Sequence, residues 1–89
     1  MGFFKKSIKK EISELSNLIL KAILTDEKVI SKIESYGIKD GNEIITEFLK
    51  NNELELAYEH LDYVVTESGI SLKERQKTRL RDIAKKLNK

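Results

Sequence analysis

Apolar residues recur along the chain at intervals of three and four, the spacing of one helix face, and nowhere alternate with polar residues long enough for a strand. Phe4, Ile8, Ile12, Leu15, Ile19, Ala22 and Ile23 trace the inner face of a first helix from about Phe3 to Leu24. Phe3, Leu18 and Leu20 widen that arc, so more than one neighbour should grip this helix. Thr25 stands where an N-cap is wanted, with Asp26 and Glu27 at the positive end of a second helix. That helix should run to about Tyr36, turning Val29, Ile30, Ile33 and Tyr36 inward. Gly37 supplies a left-handed residue after its end, Ile38 is the apolar residue beyond, and Asp40-Gly41-Asn42 reads as a turn. A third helix over about Glu43 to Lys50 should bury Ile44, Ile45, Phe48 and Leu49 before Asn51-Asn52 breaks it.

The fourth helix, within Glu53 to Ile70, places Leu54, Ala57, Leu61, Val64 and Val65 on one stripe. Tyr58 flanks that stripe on one side and Leu56 with Tyr63 on the other, which predicts a wide buried arc. Glu55, Glu59, Asp62 and Thr66 occupy the opposite side, and Glu53, His60 and Glu67 lie along the border. Carboxylates three and four residues apart are surface neighbours, and each like-charge pair costs roughly 0.2–0.5 kcal/mol. A lysine among them would fold more cheaply, so this acidic face is the best candidate for a working surface. Ser68-Gly69 ends the helix, with Ile70 as the apolar residue after the glycine. Ser71 with Glu74 has the spacing of a capping box that opens a last helix. Its inner face is Leu72, Gln76, Leu80, Ile83, Ala84 and Leu87, and seven lysines and arginines from Lys73 to Lys86 cover the rest. The expected product is one all-α domain over residues 1–89, a small bundle of four main helices plus one short helix.

Eighty-nine residues can bury one modest core and leave little room for an enclosed active-site cavity. The absence of cysteine removes disulfides, thiolate metal sites and thiol nucleophiles, and is compatible with a reducing cytoplasm. Apolar runs never exceed three residues, too short for a membrane-spanning helix. The lysine-rich start lacks the apolar run of a signal peptide, and Lys6 stands where a myristoylation signal wants a small hydroxyl residue. The net charge of +2 hides a strong asymmetry. Residues 1–10 carry +4, residues 11–70 carry −8 from five lysines against thirteen acids, and residues 71–89 carry +6. Basic ends either pair with the acidic middle inside the fold or form surfaces that meet different partners.

His60 is the only histidine, and Glu59, Asp62 and Glu67 near it bring a carboxylate-rich metal site to mind. No defined ligand set such as HExxH accompanies it, so a structural or interface role is the better reading, with no metal or cofactor expected. Paired carboxylates do acid–base work only in a cleft that separates their pKa values, which a solvated helix face does not provide. With no phosphate loop, nucleophile elbow or catalytic triad, the chain reads as a binding protein without a small-molecule substrate, not as an enzyme. The basic last helix raises nucleic acid as a partner, since phosphate contacts dominate non-specific affinity. Its cations spread round the helix, however, and base readers are missing apart from Gln76. A solvated helix balancing the acidic middle is therefore preferred to nucleic acid, and nucleic acid to an anionic membrane. Tyr63, beside His60 and the acidic face, is the tyrosine most suited to anchor an interface.

Glu47-Phe-Leu49, Asn52-Glu53, Leu56-Ala-Tyr-Glu59-His-Leu61, Glu67 and Ile70 together resemble the Maf-type immunity family. These are small helical immunity proteins of polymorphic and contact-dependent toxin systems. The resemblance covers roughly residues 44–88; this chain has Asn52 where the pattern prefers glycine and Tyr58 where it prefers leucine. It implies a cytoplasmic protein that binds a cognate toxin domain, often a nuclease, and blocks it in the producing cell. An acidic face suits the basic cleft of a nuclease by charge complementarity. The expected toxin-binding residues are Glu53, Glu55, Glu59, His60, Asp62, Tyr63 and Glu67. Among the acids, Glu53, Glu59 and Glu67 rest on matched positions, and Glu55 and Asp62 on helix geometry alone. Matched positions also serve a fold, and Glu59 or Glu67 pairing with Arg79 or Arg75 is the competing reading. The second functional reading is a small nucleic-acid-associated regulator using the basic helix, and a third an adaptor docking through the apolar first helix. The sequence leaves open monomer or homodimer, since Phe3 and Phe4 fit burial in this domain or in a second copy.

Overall fold

In a computed structural model, which describes residues 7–30, 37–38 and 40–88, five helices follow in the expected order with no strand among the described residues. They are α1 (Ile8–Thr25), α2 (Glu27–Ile30), α3 (Gly41–Lys50), α4 (Leu54–Ser68) and α5 (Glu74–Lys86), a small all-α bundle. No helix among the described residues is long and apolar enough to cross a membrane.

α1 is the axis of the bundle. Ile12, Leu15, Ile19 and Ile23 are fully buried at intervals of three and four, and α1 packs against α2, α3, α4 and α5 in turn. Leu20 adds to the core, but Leu18 and Leu24 stay about half exposed (50% and 45%) and Ala22 is exposed as well. Apolar character along α1 is thus wider than the arc its described neighbours cover completely. The helix also starts later than its pattern predicts. Ser7 is in extended conformation (ψ 155°) and its side-chain oxygen accepts the Lys10 N–H at 3.1 Å, which caps α1 at Ile8. Phe3, Phe4, Ile33 and Tyr36 lie outside the described residues.

Thr25 is not the cap of the second helix. It closes α1, its hydroxyl donating back to the Lys21 carbonyl at 2.9 Å, while Asp26 Oδ1 accepts the N–H groups of Lys28 and Val29. A threonine hydroxyl can donate to the preceding turn, whereas a carboxylate only accepts, so the aspartate takes the N-cap. Gly37 has the left-handed φ of +91° expected of it, and Ile38 is buried. α3 begins at Gly41, two residues early, and sinks Ile45 and Leu49, leaving Ile44 and Phe48 half-buried.

Only Asn51, Asn52 and Glu53 join α3 to α4. Asn52 adopts φ of +60°, the Glu53 N–H reaches the Phe48 carbonyl at 2.9 Å, and the Asn52 N–H reaches Leu49 at 3.0 Å. These two bonds make a Schellman motif with asparagine in the left-handed position. The tight junction sets α4 against α3 and α1, burying Ala57, Leu61 and Val64.

α5 lies on α1 and buries only Ile83 completely, with Leu72, Leu80 and Leu87 half-buried against the core. The expected Ser71 capping box does not form. Lys73 is the N-cap residue, and the Gln76 amide oxygen accepts its backbone N–H at 3.0 Å. Gln76 is therefore a capping residue that also faces the bundle. Two ion pairs tie α5 to α1: Lys86 with Glu11 at 2.8 Å and Arg79 with Glu14 at 3.5 Å. Part of the basic terminal charge is thus balanced within the fold.

Candidate functional site

α4 carries the candidate site because its two faces differ so sharply. Ala57, Leu61 and Val64 are fully buried, with Leu54, Tyr58 and Val65 packed beside them. At about 100° per residue, Glu59 points almost directly away from that stripe and Tyr63 lies about 50° round from that direction. Glu53, Glu55, Glu59, Asp62 and Glu67 are all exposed. The first turn holds Glu55, where the helix dipole favours an acid, but the last turn holds Glu67 and no base.

Leu56 and Tyr63 correct the sequence reading. They were expected to widen the buried arc, yet they are 44% and 37% exposed on the outer face. Among the described helices α4 packs chiefly against α3 and α1, which cover only part of its circumference, and both side chains fall beyond it. One turn separates each from His60, so Leu56, His60 and Tyr63 form a row with carboxylates on both sides. The His60 and Tyr63 rings lie 5.5 Å apart between centroids, tilted by 30°.

His60 is half-buried and its Nε2 lies 2.8 Å from the Gly37 carbonyl oxygen. Carbonyls only accept, so Nε2–H donates, and that bond fixes the ring at the loop before α3. The histidine anchors the outer row to the bundle and supports Tyr63 from below. No group of three or more His, Asp or Glu among the described residues is placed to hold a metal ion. Arg79 pairs with Glu14 of α1, not with the α4 carboxylates.

Of the seven residues expected at a binding surface, six are exposed on α4 or its first flank, and His60 holds their support. Leu56 is the member sequence reasoning missed. Its only signal was position: seven residues before Tyr63, on the same face.

Fold and surface together define a small all-α domain whose distinctive feature is an acidic helix face with exposed apolar anchors. No family model, curated protein or solved structure matches the chain.

Proposed function

We propose that this protein works by binding another protein through the outer face of α4, and that it serves as the immunity partner of a toxin domain. The observation that carries the reading is the Leu56–Tyr63 pair, exposed outside the core-facing stripe with Glu59 and Glu67 one turn away and Glu55 and Asp62 further round the helix. Protein interfaces place aromatic and aliphatic anchors at the centre and a polar rim outside. The carboxylate rim selects a basic partner and speeds its approach. A nuclease-type toxin presents such a basic cleft, and the resemblance to Maf-type immunity proteins points the same way. Inhibition in the cytoplasm of the producing cell would then follow from occupancy, with no chemistry performed by this chain.

Capture of the tagged protein from nuclease-treated lysate, with the eluate identified by mass spectrometry, tests the reading. The expected catch is the C-terminal domain of a large secreted protein, lost when Tyr63→Ala is combined with Asp62→Lys. Undiminished capture by that variant refutes the assigned face. A catch of nucleic-acid machinery alone, or one abolished by the nuclease step, refutes the function and favours the α5 regulator reading.

A further inference from the structure

A second surface lies on the other side of α1. The α1–α5 groove has a volume of about 800 Å³, and the half-exposed Leu18 forms part of its floor beside Ile83. Lys73, Arg75 and Lys85 line it and make no ion pair among the described residues, unlike Arg79 and Lys86, which α1 carboxylates hold in place. Glu11 is one of those carboxylates and Asp82 is the other acid of the lining, so cations remain in excess.

We infer that this groove receives the acidic face of α4 from a second copy of the chain. Three features match. The groove is basic where α4 is acidic. It offers an apolar floor at Leu18 where α4 projects Leu56 and Tyr63. The lengths agree: at about 1.5 Å per residue, Glu55 to Glu67 spans about 18 Å and Lys73 to Lys86 about 20 Å. A net charge of only +2 leaves little long-range repulsion between copies, so the uneven distribution governs their approach. The contact is heterologous: it closes into a dimer if a two-fold pairs both faces at once, and otherwise propagates. It occupies the α4 face assigned above to an outside partner, so the two associations compete, although self-association does not depend on who that partner is. Free protein is thereby held with its acidic face covered until a tighter partner displaces the second copy.

Sedimentation equilibrium of purified, nuclease-treated protein tests this. At about 0.01 M salt, where the Debye length is about 30 Å, the mean mass should climb above 10.3 kDa with concentration. At about 1 M salt it should stay at the monomer value. Asp62→Lys with Glu67→Lys, and separately Arg75→Glu with Lys85→Glu, should each be monomeric, and an equimolar mixture of the two variants should associate again. Far-UV circular dichroism verifies folding of each, and Arg75→Gln with Lys85→Gln replaces the groove reversal if that variant unfolds. Wild type that stays monomeric at low salt, or variants that associate as wild type does, would overturn the inference. So would a mass increase that requires nucleic acid. The groove-reversed variant retains the α4 face and should still capture the outside partner, which separates failure of self-association from failure of the proposed function.

Discussion

Replacing Asp62 and Glu67 together by lysine should make the fold more stable. Glu67 sits in the last turn of α4, which lacks any basic residue, against the negative end of the helix dipole. An acid there costs, and a lysine gains, about 0.3–1 kcal/mol at low ionic strength. Asp62 follows Glu59 by three residues, so lysine turns a repulsion of about 0.2–0.5 kcal/mol into an attraction of similar size. Lysine also exceeds aspartate in helix propensity by a few tenths of a kcal/mol, roughly. Both sites are exposed, so solvent screening trims the sum to about 1–2 kcal/mol. For a chain of this length that is a rise in Tm of roughly 5–15 °C. Thermal melts followed by circular dichroism, at low salt and at about 1 M salt, read the gain and the share that salt removes. Partner capture by the same variant should fall. A lower Tm would refute the reasoning, because it would mean that the two carboxylates hold the fold and are not surplus to it.

Other substitutions probe the supports of the site. Asn52→Gly should raise stability and Asn52→Ala lower it by about 1 kcal/mol, because only the left-handed residue of the α3–α4 junction changes, and urea unfolding separates the two. His60→Ala removes the bond to the Gly37 carbonyl and should cost about 1–2 kcal/mol in the same assay, with weaker partner capture as Tyr63 loses its support. Gly41→Ala would bring a Cβ to 3.0 Å from Leu20 Cδ2 and 3.2 Å from Val64 Cγ2, both buried and with little room to yield, so an overpacking cost of about 1–3 kcal/mol should outweigh the helix gain of about 1 kcal/mol. Gly69→Ala meets nothing within 4 Å, so only its φ of +68° is penalised, by about 1 kcal/mol.

Helix order and the central spine were legible because a buried helix face leaves a repeating trace in sequence. Ile12, Leu15, Ile19 and Ile23 on α1, and Ala57, Leu61 and Val64 on α4, are the residues that periodicity selects. Helix starts were less legible, since several hydroxyl and acidic residues near each start compete for the cap. Asp26 displaced Thr25 by accepting two N–H groups, and Gln76 with Lys73 displaced Ser71. The ion pairs of α5 were open between several acids, and only packing on α1 selects Glu11 and Glu14.

The remaining discrepancies share one cause. Periodicity marks every apolar residue near a buried stripe, but the number of neighbours decides how much of that arc is covered. α4 is packed by α3 and α1, so Leu56 and Tyr63 fall outside its covered arc. α1 packs against four other helices, yet Leu18 still opens into the α5 groove. Single exposed apolar residues are ordinary on a protein surface. Here, however, they stand where one sign of charge predominates: Leu56 and Tyr63 beside carboxylates, Leu18 in a groove lined by more cations than acids. A sequence that had only to fold would not combine unused apolar side chains with like charges three and four residues apart, because each costs solubility or stability. Departures from local rules gather where function overrides them. On that ground the outer face of α4 and the α1–α5 groove are the two surfaces that the proposed associations use.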